Sequence, residues 1–266
     1  MKRIKGKTMC IFSAKGGVGK TITAINLAGI FESLEKKVLI IDLDFSGGGI
    51  ALALNKPFEK NIYNFVDDYT NNRYHDFKEY VTHFDDYIDI LPSPKDPRQG
   101  MKIDSKYAEI VIDKAKYMYD VVLIDTNHFI NEFNILTLDQ VDNILFMVTN
   151  DPLDIKNMRS LISIFKDIGE TNYKVLLNNS RDPYKKYFSM YDIKNILKAN
   201  IDYTLTSNFF IKEIDTYVMD GKIITLDKKM PNVFNKDYHT FMLIAKDLLK
   251  DTEEEINKET KEDKNE

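Results

Sequence analysis

Lys15-Gly16-Gly17-Val18-Gly19-Lys20-Thr21 follows the apolar run Met9-Cys10-Ile11-Phe12 and opens a helical pattern at Thr21-Ile22-Thr23-Ala24-Ile25. A strand, a glycine-rich turn and a helix N-terminus in that order form a cradle for phosphate. The glycines let backbone N–H groups point inward without Cβ obstruction. Lys20 is placed to reach β- and γ-phosphates, and the Thr21 hydroxyl to ligate Mg2+. Lys15 is an addition that a standard phosphate loop does not require. It puts a second cation at the mouth of the same anion site.

Acidic partners fall where such a loop needs them. Val38-Leu39-Ile40-Ile41 leads into Asp42-Leu43-Asp44, and Val121-Val122-Leu123-Ile124 leads into Asp125. Residues two apart share a face of an extended segment, so Asp42 and Asp44 are expected to look toward one site. Asp125 has the pattern of a Walker B acid that holds Mg2+ through water. All three elements end at the carboxyl ends of predicted strands, where open α/β sheets bind ligands. The expected metal set is therefore Thr21, Asp42 and Asp125. The expected nucleotide set runs from Lys15 through Gly16, Gly17, Val18, Gly19, Lys20 and Thr21 to Ile22.

Outward from this motif, apolar runs alternate with helical patterns. Strands are predicted at Thr8–Ser13, Val38–Asp42, Tyr87–Leu91, Val121–Asp125, Ile144–Val148, Lys174–Leu177 and Tyr203–Leu205. Helices are predicted at Lys20–Leu34, Ser105–Met118, Leu153–Ile168, Tyr191–Lys198 and Lys236–Lys250. Ile155, Met158, Ile162 and Phe165 recur at helical spacing and read as core, with Gly169 as the stop. The pattern predicts an α/β fold: a doubly wound, mostly parallel sheet with helices on both faces. A single domain is expected over residues 1–250.

The 266 residues suffice for one large core, and 43% are hydrophobic. The one cysteine, Cys10, excludes an internal disulfide framework and points to a cytoplasmic setting. It reads as a small core residue. The basic N-terminus is followed by too short an apolar stretch for a signal peptide. No apolar run approaches the ~18 residues of a membrane span. The net charge is −5, of which −4 lies from Lys250 to Glu266, where four Lys face eight Asp and Glu. That acidic tail, 251–266, contains one aliphatic residue and is expected to be disordered or a frayed helix end.

These motifs resemble the ParA/MinD family of deviant Walker A P-loop ATPases: Lys15–Thr21 matches the family motif, and Ile41-Asp42-Leu43-Asp44 its second element. The resemblance implies an ATP-dependent homodimer that sandwiches nucleotide. It implies that Lys15 reaches the phosphates of the partner's nucleotide, and that Asp44 lies near the attacking water. With Lys20, these are the expected catalytic residues. Asn178, after Leu176-Leu177, is similar to the family's adenine-contacting residue, and equally fits a simple turn residue. Ile88–Pro97, Leu138–Asn143 and Asn150–Gly169 resemble the CpaE/TadZ-like subgroup, ATPases that localise pilus assembly.

The run Asp125-Thr126-Asn127-His128-Phe129 departs from the wider family, which often places a glycine there against the γ-phosphate. Slow hydrolysis is therefore expected, and an ATP-bound scaffold with little hydrolysis remains an alternative. Phosphoryl transfer rarely needs a histidine base, so His128 is assigned no catalytic role. Ser46-Gly47-Gly48-Gly49 suggests a mobile, nucleotide-sensing loop. Many CpaE/TadZ-like proteins carry a receiver-like domain before the ATPase, whereas about seven residues precede the first strand here.

The leading expectation is a switch that marks where a Tad-type pilus or secretion machine assembles, recruited through protein partners. The alternative is a ParA-like plasmid or chromosome partition ATPase. DNA binding by that alternative would rest on basic contacts such as Lys185, Lys186 and Lys194 in the stretch Arg181–Lys198, which a solvated face explains as well. A MinD-type membrane helix is not expected, because the C-terminus is acidic. An iron–sulfur carrier is excluded by the lone cysteine.

Overall fold

The computed structural model describes residues 5–180, 187–209 and 214–262, with 214–215 and 251–262 as backbone only. Eight strands make one sheet: β1 (Lys7–Phe12), β2 (Val38–Leu43), β3 (Thr82–His83), β4 (Ile88–Leu91), β5 (Val121–Thr126), β6 (Asn143–Val148), β7 (Tyr173–Asn178) and β8 (Tyr203–Leu205). Their order is β3-β4-β2-β5-β1-β6-β7-β8. Every pairing is parallel except that of β3 with β4 at one edge. The sheet class expected from the apolar runs is the one observed. β1, β2 and β5 are buried along their whole length, as central parallel strands covered on both faces must be.

The helices are α1 (Lys20–Ser33), α2 (Ile50–Ala53), α3 (Ile62–Thr70), α4 (Pro97–Gly100), α5 (Tyr107–Lys116), α6 (Glu132–Asp139), α7 (Pro152–Asp167), α8 (Met190–Leu197), α9 (Ile214–Asp220), α10 (Met230–Val233) and α11 (Asn235–Glu262). Met9 and Ile11 enter a core with Leu27, Phe31, Phe241, Ile244 and Leu248, under α1 and α11. Cys10 and Phe12 enter the opposite core, with Phe65, Val111, Ile155, Met158 and Ile162 under α3, α5 and α7. Period-two alternation along β1 thus feeds both layers. Gly169, at φ 82°, stops α7 as expected.

Seven of these elements escaped the sequence reading: β3, α2, α3, α4, α6, α9 and α10. β3 is a two-residue antiparallel edge. α3 buries only Ile62, Phe65 and Val66 and starts at an Asn61/Asn64 capping box, a weaker signal than Ser or Thr with Glu. α6 starts at Asn131, whose side chain accepts from the Asn134 N–H. The backbone of α11 continues to Glu262 instead of ending at Lys250. The side chains of the acidic tail and all of residues 263–266 lie outside the described residues, as do Lys185 and Lys186.

The topology fixes where a ligand can lie. β1 is central, with β2 reached across β5 on one side and β6 on the other. The chain changes direction across the sheet at the carboxyl end of β1, and the Lys15–Lys20 loop leaves that end.

Candidate functional site

The loop after β1 enters α1 through Gly17 at φ 75° and Gly19 at φ 104°. A side chain at Gly19 would be strained, and its Cβ would lie 2.9 Å from Asn178 Nδ2. Gly19 caps α1 without a side-chain hydrogen bond, so the first turn keeps N–H groups for an anion. Buried Lys20 donates from Nζ to Ser13 Oγ at 3.0 Å, and Ser13 Oγ donates to the Lys15 carbonyl at 2.7 Å. Burial pulls the Lys20 ammonium below its usual range, against the attraction of Asp125 and Asp44. An incoming polyanion would reverse that effect.

The acidic residues meet across neighbouring strands. Asp42 and Asp125 are register partners in β2 and β5, and both are buried. Asp125 Oδ2 accepts from Thr21 Oγ1 at 2.6 Å, while its Oδ1 is buried without a hydrogen-bond partner. Burial raises the Asp125 carboxyl to about 6, with Thr21 and Lys20 opposing. Asp42 is raised well above the carboxylate range, by burial first and by Asp125 second. Two adjacent buried carboxylates and one orphaned oxygen are what a divalent cation would relieve. Among the described residues no three His, Cys, Asp or Glu side chains form a metal cage. Mg2+ at a phosphate loop does not need one, because phosphates and water complete its shell.

β2 ends at Leu43, so Asp44 is brought near by a turn and not by strand alternation. Its Oδ1 accepts from the N–H groups of Ser46 (3.1 Å) and Gly47 (3.2 Å). Asp42 holds both ends of this loop, accepting from Asp44 N–H and Ile50 N–H at 3.1 Å each. Gly48 packs so closely on Ser93 that a Cβ there would lie 1.9 Å from Ser93 Oγ.

Lys15 Nζ lies 3.1 Å from Asp151 Oδ2. Asp151 caps α7, accepting from the N–H groups of Leu153 and Asp154. Its carboxyl is lowered first by the Asp154 N–H and also by Lys15. Asp154 is fully buried and accepts from Thr149 N–H and Oγ1 at 2.7 and 2.6 Å. Sequence reasoning missed Asp151, although Asp151-Pro152 is a helix-start signal.

Asn178 joins β7 to the phosphate loop, donating from Nδ2 to the Val18 carbonyl at 2.9 Å. Its Oδ1 accepts from Ser180 N–H and Oγ. After β5, Thr126 Oγ1 donates to the Ile11 carbonyl at 2.9 Å. The Asn127 side chain accepts from Phe129 N–H and Asn134 Nδ2. This network, rather than a glycine, shapes the turn. It sets the His128 ring over Gly16, 3.3 Å from where a Cβ would stand.

A parallel sheet with this loop at its topological switch defines a P-loop nucleotide-binding protein of the ParA/MinD type. The chain belongs to the family described as AAA domain, whose profile matches residues 6–179. It is 25% identical over 211 residues to the chromosome-partitioning ATPase Soj of Thermus thermophilus, covering 79% of each chain. A ParA family ATPase from Chlorobium tepidum superimposes with a TM-score of 0.77 at 17% identity, over 90% of this chain and 98% of that one. The septum site-determining protein MinD from Pyrococcus horikoshii, solved with Mg-ADP, gives 0.74 at 17% identity, over 91% and 96%.

Proposed function

We propose that this chain is an ATP-dependent dimerisation switch that hydrolyses ATP slowly and positions a cellular assembly. The observation that carries it is the Thr21–Asp125 contact at the mouth of the phosphate loop, with Asp125 Oδ1 left without a partner. Thr21 and Asp125, with Asp42 behind them, would hold Mg2+. When bound, Mg2+ neutralises charge on the phosphate oxygens. The loop N–H groups from Gly16 to Ile22 bind the phosphates, and Lys20 moves from Ser13 to meet them. Asn178 keeps the loop closed from the β7 side and stands where a base contact is expected. Asp44 orients the attacking water once its turn releases the carboxylate. Lys15, freed from Asp151, supplies charge to the partner's nucleotide. The Asn127-based turn offers no glycine for close approach to the γ-phosphate, which supports slow turnover.

Equilibrium binding of a fluorescent ATP analogue, with and without Mg2+, tests the site. The expected result is Mg-dependent binding that Thr21→Ala and Asp125→Asn each weaken about tenfold or more. Binding indifferent to Mg2+ and to both substitutions would contradict it.

Two cargoes fit this switch. Similarity to Soj, named a chromosome-partitioning ATPase, supports partition. The resemblance of Ile88–Pro97, Leu138–Asn143 and Asn150–Gly169 to CpaE/TadZ-like ATPases supports a Tad-type pilus or secretion machine. Non-specific duplex DNA binding at moderate salt, with a salt slope, selects partition; its absence selects protein partners. No helix among the described residues is long and apolar enough to cross a membrane.

A further inference from the structure

The turn after β5 is held by two buried amides, and its apex is His128. Asn127 and Asn134 are 9% and 1% exposed. Asn134 Nδ2 donates to Asn127 Oδ1 and to the Phe129 carbonyl, both at 2.7 Å. Asn127 Oδ1 also accepts from the Phe129 N–H at 3.0 Å. The residues on either side of His128 are therefore pinned to α6, and a satisfied buried amide network holds a fixed shape. Phe129 packs on the imidazole, with ring centroids 4.2 Å apart.

This turn leans the imidazole on the phosphate loop. Nδ1 and Cε1 each lie 3.3 Å from where a Gly16 Cβ would stand, so glycine gives the ring that place without a shift. A half-turn of the ring would exchange Nδ1 for Cδ2 and Cε1 for Nε2, so one nitrogen faces the loop in either orientation. His128 is half-buried, and neither ring nitrogen has a hydrogen-bond partner among the described residues. At least one ring nitrogen carries a proton in either charge state, so the ring is always a donor.

The Lys20 ammonium serves the same stretch of loop. Its Nζ donates to Ser13 Oγ, which donates to the carbonyl of Lys15, the residue bonded to Gly16. Lys20 is the residue that reaches β- and γ-phosphates from such a loop. Beside Gly17, nothing among the described residues lies within 4 Å of where a Cβ would stand, which leaves room for phosphate. Asp125, which accepts from Thr21, is three residues before His128. The open ring nitrogens thus stand at the triphosphate end of the cradle.

We propose, on the phosphate-site reading above, that His128 binds the terminal phosphate of a nucleoside triphosphate. A ring N–H donates to a γ-phosphate oxygen, and the site thereby selects triphosphate over diphosphate. The imidazole acts as a donor and not as a base. A side-chain donor does not need the close backbone approach that a glycine N–H needs.

Isothermal titration calorimetry of the full chain, with Mg2+ and either ADP or the β,γ-imido analogue of ATP, tests this at concentrations that keep the protein monomeric. His128→Ala should lose about ten- to hundredfold in affinity for the analogue, the scale of one hydrogen bond to a charged group, and about twofold or less for ADP. His128→Gln, which keeps an N–H donor, should recover part of the preference. An unchanged ratio of the two affinities in His128→Ala would overturn the proposal, whether neither affinity falls or both fall together. The second result would assign the ring to loop packing. A wild-type protein that binds neither nucleotide would overturn the phosphate-site reading itself, and this assignment with it.

Discussion

Lys15 Nζ sits 3.1 Å from Asp151 Oδ2, which ties the phosphate loop to the first turn of α7. The cation that distinguishes this loop from a standard one is thus held within its own chain. In the proposed switch, this pair must open before Lys15 can serve a partner. Both side chains are partly exposed, at 42% and 28%, so the pair is weak and suited to exchange.

Asp151→Asn keeps an α7 cap but removes the charge. A partly exposed pair is worth about 0.2–1 kcal/mol. Dimerisation with a non-hydrolysable ATP analogue should therefore become two- to fivefold tighter, to order of magnitude. Sedimentation velocity measures it; unchanged or weaker dimerisation would show that the pair is not a restraint.

Burial holds the Asp125 carboxyl at about 6, above the ~3.9 of an unfolded chain. The folded protein retains a proton there that the unfolded chain has released. This group's stabilising contribution is thus present below ~3.9 and is lost as the pH rises through about 6. Mg2+ favours the ionised form and reverses the preference. Its affinity should fall about tenfold per pH unit below 6, with about one proton released on binding. Calorimetry in buffers of different ionisation enthalpy reads both quantities. Flat affinity from pH 5 to about 7 would remove Asp125 from the metal set.

Gly48→Ala would drive a methyl into Ser93 Oγ and displace the loop that carries Asp44. The cost should be about 1–3 kcal/mol. ATP turnover should fall more than ATP binding. Ser93→Gly removes both offending atoms, so the double variant should recover. If Gly48→Ala turns over ATP normally, loop position does not govern the reaction.

Asp44→Ala separates a turnover switch from a scaffold. Turnover should fall about a hundredfold, the scale of a lost proton acceptor or water-positioning group, with ATP binding nearly unchanged. Unchanged turnover would assign the reaction to another residue.

The sheet was legible because its central strands are buried on both faces and read as unbroken apolar runs, Val38–Ile41 and Val121–Ile124 above all. The Lys15–Thr21 motif carried its own backbone instructions in its glycines. Asp42 and Asp125 were legible because each directly follows such a run. Asp44 was found by its spacing, but the turn that places it depends on N–H groups of Ser46 and Gly47. Asp151 and the Asn127–Asn134 pair were not legible as site residues, because their partners lie in other loops. Lone Asp and Asn residues read as caps and turns until tertiary packing shows what they hold.

Light scattering of the wild-type protein and Lys15→Ala with Mg2+ and a non-hydrolysable ATP analogue tests the central claim most directly. The account predicts a wild-type dimer, and a variant that binds the analogue within a few-fold of normal yet stays monomeric. A Lys15→Ala protein that dimerises like the wild type would contradict it.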